Sequence, residues 1–353
     1  MSKFWSRMAK RTEPYIPGEQ INDGLKLNTN ENPYPPSPNV VKAILNEVHQ
    51  DLRLYPSPAM DQLKEAIATH YQLSKENVFI GNGSDEVLAF SFMAFFEPGR
   101  IIRFPEITYS FYPVYAKLFN IPYEQVPLKE DFTLQIEDYF HSDGGVIFPN
   151  PNAPTSIYLP LEHVEKMVQH NLDRVVIVDE AYVDFAGNSA TTLIHKYENL
   201  LVIQTMSKSR SLAGLRVGFA LGNEALIEGL TRMKDSFNSY PVDRLAMAGA
   251  EAAIKDRSYF EKTTKKIIAT RTWVTEELKQ LGFNVLPSAT NFVFATHNNV
   301  PAKTLYERLK ENQILIRYFG KKPIDNYVRI TIGTDNEMKQ FMEKTYEIIN
   351  SYL

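Results

Sequence analysis

Short apolar runs rich in Val, Ile and Phe recur at residues 78–80, 100–104, 146–148, 174–178, 200–204 and 217–221, with longer stretches of helical character between them. A strand buried on both faces reads as a near-continuous apolar run, and a parallel neighbour needs a crossover helix to bring the chain back. The alternation therefore predicts an α/β fold whose large, mostly parallel sheet is flanked by helices. From about residue 256 the texture changes to a long charged amphipathic stretch at 259–281, then to short strands and helices ending in 335–353. That part reads as a smaller α+β domain. The N-terminal segment carries Pro14, Pro17, Pro33, Pro35, Pro36 and Pro38, too many for a helix, and is expected to run extended over the surface. The expected organisation is an arm with part of the small domain at 1–45, a large domain at 46–255 and a small domain at 256–353.

Composition narrows the class of partner. A chain of 353 residues with 44% hydrophobic content can bury full cores, and a formal charge of -4 without basic runs argues against nucleic acid. There is no cysteine, which excludes disulfides, thiolate nucleophiles and Cys-based metal sites. The first eleven residues have no continuous apolar stretch, so neither a secretory signal nor a membrane-spanning helix is expected, and the cytoplasm is the expected compartment. The histidines are scattered; His163 and His170 lie seven residues apart without a carboxylate in a ligand pattern, so no metal is expected.

Polar residues fall where the predicted strands end. Gly81-Asn82-Gly83-Ser84-Asp85 follows 78–80, Asn152 follows 146–148, Asp179 follows 174–178, and Ser207-Lys208 follows 200–204. In an open α/β sheet ligands bind outside the strand carboxyl ends, so groups more than a hundred residues apart in sequence are brought to one site. A lysine, an arginine suited to phosphate and an upstream carboxylate are what pyridoxal phosphate requires of its protein. Gly83, Ser84 and Asp85 open an apolar helical run whose amides and dipole suit a phosphate, though the same residues serve as an ordinary helix cap. A dinucleotide fingerprint would want a third glycine where Glu86 stands.

In that reading Asp179 faces the cofactor's ring nitrogen and keeps it protonated. Tyr182 and Asn152 reach its phenolic oxygen, and Tyr109 stacks on the ring. Lys208, with an apolar strand behind it, is the desolvated amine for a Schiff base. Arg216 returns a fixed charge to the phosphate, with the Thr205 and Ser207 hydroxyls beside it.

These motifs together resemble the fold-type I pyridoxal-phosphate aminotransferases, and among them the histidinol-phosphate branch. The resemblance runs along the whole chain: Leu27-Asn28-Thr29-Asn30-Glu31-Asn32-Pro33, Tyr55-Pro56, Gly81-Asn82-Gly83-Ser84-Asp85-Glu86, Pro149-Asn150-Pro151-Asn152-Ala153-Pro154-Thr155, Asp179-Glu180-Ala181-Tyr182, Ser207-Lys208-Ser209, Gly214-Leu215-Arg216-Val217-Gly218 and Val328-Arg329-Ile330-Thr331-Ile332-Gly333. It implies a homodimer in which Tyr55 reaches the phosphate of the other subunit's cofactor. It also implies that Arg329 clamps the anionic group of the substrate, with Tyr15, Asn30 and Arg317 adding substrate contacts. The implied reaction exchanges the amino group of L-histidinol phosphate with 2-oxoglutarate, giving imidazole-acetol phosphate and L-glutamate, as a step of histidine biosynthesis. A broad aromatic aminotransferase and a threonine-phosphate decarboxylase-like lyase are the alternatives on the same scaffold. Where that family most often has glycine after Pro-Thr, this chain has Ser156, which predicts a locally reshaped loop.

Overall fold

The computed structural model describes residues 2–21 and 23–352. The N-terminal segment opens with a short helix, α1 (Arg7–Arg11), placed ahead of the first proline. Its described residues then run without helix to the two-residue strand β1 (Leu25–Lys26) and on to α2 (Pro38–Asn46). The extended reading thus holds between these helices, and Pro38 starts α2 rather than preventing it. Proline is tolerated at the first helical position, where its missing N–H leaves no bond unmade, and Ser37 caps the turn by accepting from Val40 N. Helix α3 (Asp61–Tyr71) follows.

All six apolar runs form strands: β2 (Val78–Asn82), β3 (Ile102–Pro105), β5 (Val146–Pro149), β6 (Val176–Asp179), β7 (Leu200–Thr205) and β8 (Val217–Gly222). A seventh strand of the same sheet, β4 (Tyr123–Val126), has only Val126 buried; an edge strand with solvent on its flank lacks the apolar run that marks the others. The order across the sheet is β2-β8-β7-β6-β5-β3-β4. Only β8 runs antiparallel to its neighbours, so its amino-terminal end meets the carboxyl ends of the rest. One face packs against α4 (Gly83–Phe95), α5 (Phe111–Phe119) and α7 (Glu224–Phe237), where Phe79, Phe90, Phe104 and Tyr112 are fully buried. The other face is covered by α2, α3, α6 (Leu161–Gln169) and α8 (Arg244–Lys255).

The amphipathic stretch at 259–281 becomes α9 (Arg257–Gln280). It packs on a four-stranded antiparallel sheet of order β12-β13-β10-β9, together with α10 (Ala302–Glu311) and α11 (Asp335–Tyr352). Its strands are β9 (Phe283–Val285), β10 (Phe292–His297), β12 (Arg317–Tyr318) and β13 (Val328–Thr331), with β11 (Ile314–Leu315) pairing instead with β1. The N-terminal segment is therefore stitched to the C-terminal sheet unit, and Leu27 joins its core. Ser156 itself takes the left-handed conformation that a glycine would supply at this position, at φ 67°. That costs a non-glycine residue on the order of 1 kcal/mol. Ser156 N donates to Asn152 O, Ser156 O accepts from Ala289 N, and its hydroxyl reaches Pro287 O, so buried hydrogen bonds offset the strain.

Candidate active site

A cavity of about 500 Å³ opens at the carboxyl edge of the large sheet, between it, the N-terminal segment and β12–β13. Topology explains the convergence. Asp179 ends β6, Thr205 ends β7, the loop with Lys208 follows, and Ser84 and Asp85 lie in the first turn of the helix after β2. Arg216 precedes β8, and the reversed direction of that strand delivers it to the same edge.

The phosphate end is built closely. Gly83 has φ 78°, and a Cβ there would lie 2.5 Å from Arg216 Nη2; a Cβ on Gly218 would lie 2.3 Å from Ser84 N. Only glycine permits this approach of the arginine to the first turn of α4, whose free amides and dipole favour an anion. The Thr205 hydroxyl donates to Ser207 Oγ at 2.9 Å, which leaves the Ser207 hydrogen for another acceptor. Asp85 enters through its carboxylate: Arg216 Nη2 donates to Oδ2 at 2.9 Å and the Tyr109 hydroxyl to Oδ1 at 2.8 Å. Tyr109 lines the cavity, its ring held by edge contact with Tyr112 at 5.9 Å.

Asp179 is buried, and burial pushes its carboxyl up to about 6, against the pull of two donors, Tyr112 Oη at 2.9 Å and Ala181 N at 3.2 Å. Tyr112 is one of the residues that sequence patterning does not single out: its ring is core and its hydroxyl serves the site. Lys208 is half-buried at the cavity wall rather than fully desolvated. Its Nζ donates to Thr29 O at 3.3 Å and lies 5.7 Å from the centroid of the Tyr182 ring. Asn152 is buried beneath the cavity wall: its amide nitrogen donates to Ile107 O and Thr155 Oγ1, both at 2.9 Å, and its Oδ1 has no partner.

The opposite end is cationic. Arg317 and Arg329 sit side by side, each guanidinium carbon 5.7 Å from the Phe319 ring centroid, and neither is paired with a carboxylate among the described residues. Arg329 Nη2 donates to Asn28 O at 2.8 Å, while its buried Nε has no partner, and burial lowers its affinity for its proton. Lys321 and Lys322, absent from the sequence reading because a lysine pair in a loop looks like solvated surface, line this end too. Tyr15 lines the cavity and stacks on Phe111 at 4.3 Å. Asn30 is buried at its edge and donates to the Tyr182 hydroxyl at 2.9 Å. Tyr55 lies away from this cavity; it is 79% exposed and stacks on Tyr240 at 4.7 Å.

The family model for aminotransferase class I and II matches residues 22–344. Histidinol-phosphate aminotransferase 1 of Oceanobacillus iheyensis is 58% identical over 99% of each chain, and histidinol-phosphate aminotransferase of Clostridium acetobutylicum is 56% identical over 99% of this chain and 100% of its own. The crystal structure of histidinol-phosphate aminotransferase from Sinorhizobium meliloti in complex with pyridoxal-5'-phosphate superposes with a TM-score of 0.90 at 25% identity, covering 100% of this chain and 99% of that one. The site fits that cofactor: a glycine-cleared cradle faced by Arg216, a buried carboxylate at Asp179, and Lys208 lining the same cavity.

Proposed function

Because the chain belongs to the class I and II aminotransferase family and its cofactor is pyridoxal phosphate, we propose that it exchanges the amino group of L-histidinol phosphate with 2-oxoglutarate, yielding imidazole-acetol phosphate and L-glutamate. The observation that carries the substrate is the pair Arg317 and Arg329, two guanidinium groups without a carboxylate partner among the described residues, facing one cavity. A phosphate dianion or a substrate carboxylate satisfies both, and a guanidinium fork reads either.

Bound pyridoxal phosphate supplies an aldehyde that takes up the amino group and a ring that holds the electron pair left when the Cα proton departs. Arg216, the first turn of α4 and the Ser207 hydroxyl would hold its phosphate, while Asp179 would hold a negative charge at the ring nitrogen. Tyr182 would donate toward the phenolic oxygen, Asn152 would support that side, and Tyr109 would cover the ring. The Lys208 Nζ takes the proton from Cα and returns it on the other side of the transfer. One cavity receives both substrates in turn, so the first product leaves before the second substrate enters. Arg329 and Arg317, with Tyr15, orient each by its anionic end.

In single turnovers of the cofactor-loaded protein, both L-histidinol phosphate and glutamate should convert the cofactor to its amine form, with phenylalanine much slower. Preference for phenylalanine, or carbon dioxide release from threonine phosphate, would overturn the substrate assignment. Arg317→Ala should lower kcat/KM for histidinol phosphate by about 10- to 100-fold, the value of a charge-assisted hydrogen bond, and leave cofactor affinity nearly unchanged. Equal losses in both would count against the role.

We further propose a homodimer acting in the cytoplasm, with 46–255 as the cofactor-holding unit, 256–353 as the smaller unit and 1–45 as an arm shared with it. The described residues contain no helix long and apolar enough to cross a membrane. Support for the dimer comes from Val41, Leu45, Leu52, Leu54, Tyr55 and Phe237, apolar side chains exposed on this chain that a second copy would cover. In the dimer Tyr55 reaches the partner's cofactor phosphate. Tyr55→Ala should lower activity by about 10- to 100-fold, and refolding equal amounts of these chains with inactive Lys208→Ala chains should then restore activity toward about a quarter of the native value, since half the dimers are mixed and each has one site with both residues intact. No recovery on mixing would place Tyr55 outside the partner's site.

A further inference from the structure

Tyr182 carries one hydroxyl hydrogen, and its direction is decided elsewhere in the molecule. Asn30 Nδ2 donates to the Tyr182 oxygen at 2.9 Å, so toward Asn30 the phenol is an acceptor. Whether the Asn30 amide presents its nitrogen or its oxygen there depends on Thr331, the last residue of β13 and two residues beyond Arg329. The Thr331 hydroxyl accepts from Asn30 N at 3.0 Å and donates its only hydrogen to Asn30 Oδ1, also at 3.0 Å. Thr331, Asn30 and Tyr182 are all buried. Reversing the amide would leave the Thr331 hydrogen without an acceptor away from water, which buried hydroxyls avoid.

The backbone around this chain of bonds is fixed independently. Thr331 N donates to Leu27 O at 2.9 Å and Asn291 Nδ2 to Asn30 O at 3.0 Å. Asn30 itself sits at φ 57°, a conformation asparagine tolerates. Local hydrogen bonds therefore do not compete for the amide, and its polarity is set by one hydroxyl.

We propose that Thr331 is a positioning residue that, through Asn30, turns the Tyr182 hydroxyl hydrogen into the cavity. The role rests on the reading that pyridoxal phosphate occupies this site with its phenolic oxygen toward Tyr182. A donor aimed at that oxygen favours its deprotonated state, and a polarity set by Thr331 lies on the strand that carries the substrate-clamping Arg329. Without the hydroxyl the Asn30 amide is free to reverse, and its oxygen then takes the Tyr182 hydrogen away from the cofactor. The charged groups sharing the cavity are Glu31, Asp85, Glu106, Asp179, Lys208, Arg216, Arg317, Lys321, Lys322 and Arg329, and they are common to every variant compared.

The test is a spectrophotometric pH titration of the bound cofactor in native protein, Thr331→Val, Thr331→Ser and Tyr182→Phe. Thr331→Val should raise the midpoint of the absorbance change by about one pH unit, the scale of a hydrogen bond to a charged acceptor. Thr331→Ser should keep the native midpoint, and Tyr182→Phe should shift it at least as far as the valine. Thr331→Ala serves as a second deletion of the hydroxyl where valine does not fold. A native midpoint in the valine and alanine variants overturns the proposal. If Tyr182→Phe shifts the midpoint in that case, the cofactor reading survives and only the positioning role fails; if it does not, both fail together.

Discussion

Replacing Lys208 with alanine is expected to lower turnover by about 10⁴-fold or more while the fold is retained. Two functions go with the amine: its covalent attachment to the cofactor aldehyde and its proton transfer at the substrate Cα, the second alone worth about 10²- to 10⁴-fold. The cofactor should still bind, because Arg216 and the first turn of α4 are untouched, but its visible band should shift to that of a free aldehyde. Stability should change by no more than about 1 kcal/mol, since the only hydrogen bond lost is the one to Thr29 O at 3.3 Å. The backbone has its own supports: Asn32 Nδ2 donates to Lys208 O at 2.9 Å and to Ser209 O at 3.2 Å, and the Ser209 hydroxyl is held by Asp184. Turnover at the native rate, with thermal stability unchanged, would remove Lys208 from the mechanism.

That separation between a side chain's chemistry and its backbone's support marks the boundary of what sequence reading reaches. Strands β2, β3, β5, β6, β7 and β8 were legible because burial on both faces demands apolar runs, and the position of Asp179 and Lys208 just past such runs was legible with them. The edge strand β4 was not, since Tyr123, Glu124 and Gln125 face partly or wholly to solvent. The groups that orient the site were less legible still. Thr331 meets Asn30 across 301 residues and Asn32 meets Lys208 across 176, contacts that leave no local periodicity. Tyr112 is hidden for another reason: a tyrosine whose ring packs and whose hydroxyl serves a carboxylate looks, in sequence, like any core aromatic. Ser156 shows the converse, a residue choice that seemed to forbid a conformation which tertiary hydrogen bonds then enforce.

Asp179→Asn should separate function from stability. With asparagine the ring nitrogen loses its anionic partner, and proton abstraction in single turnovers should slow by about 10²- to 10⁴-fold, the range for removing one member of a buried charge pair. The apoprotein should respond in the opposite direction. Burial raises the Asp179 carboxyl from its ordinary 3.8 to about 6, so the folded chain holds this proton more tightly than the unfolded one. The contribution of Asp179 to stability is therefore full below pH 4 and is lost as pH rises through 6. Asparagine, which cannot ionise, escapes the loss, and relative to native the variant apoprotein should gain about 3 kcal/mol between pH 4 and pH 8 in urea unfolding. The carboxylate is thus held at a cost to the empty protein that a cationic ring nitrogen offsets when the cofactor binds. In cofactor-loaded protein the stability difference at pH 8 should shrink or reverse, because the native carboxylate then has its partner. Single-turnover rates unchanged by the substitution would sink the assignment of Asp179 to the ring nitrogen, whatever the apoprotein does.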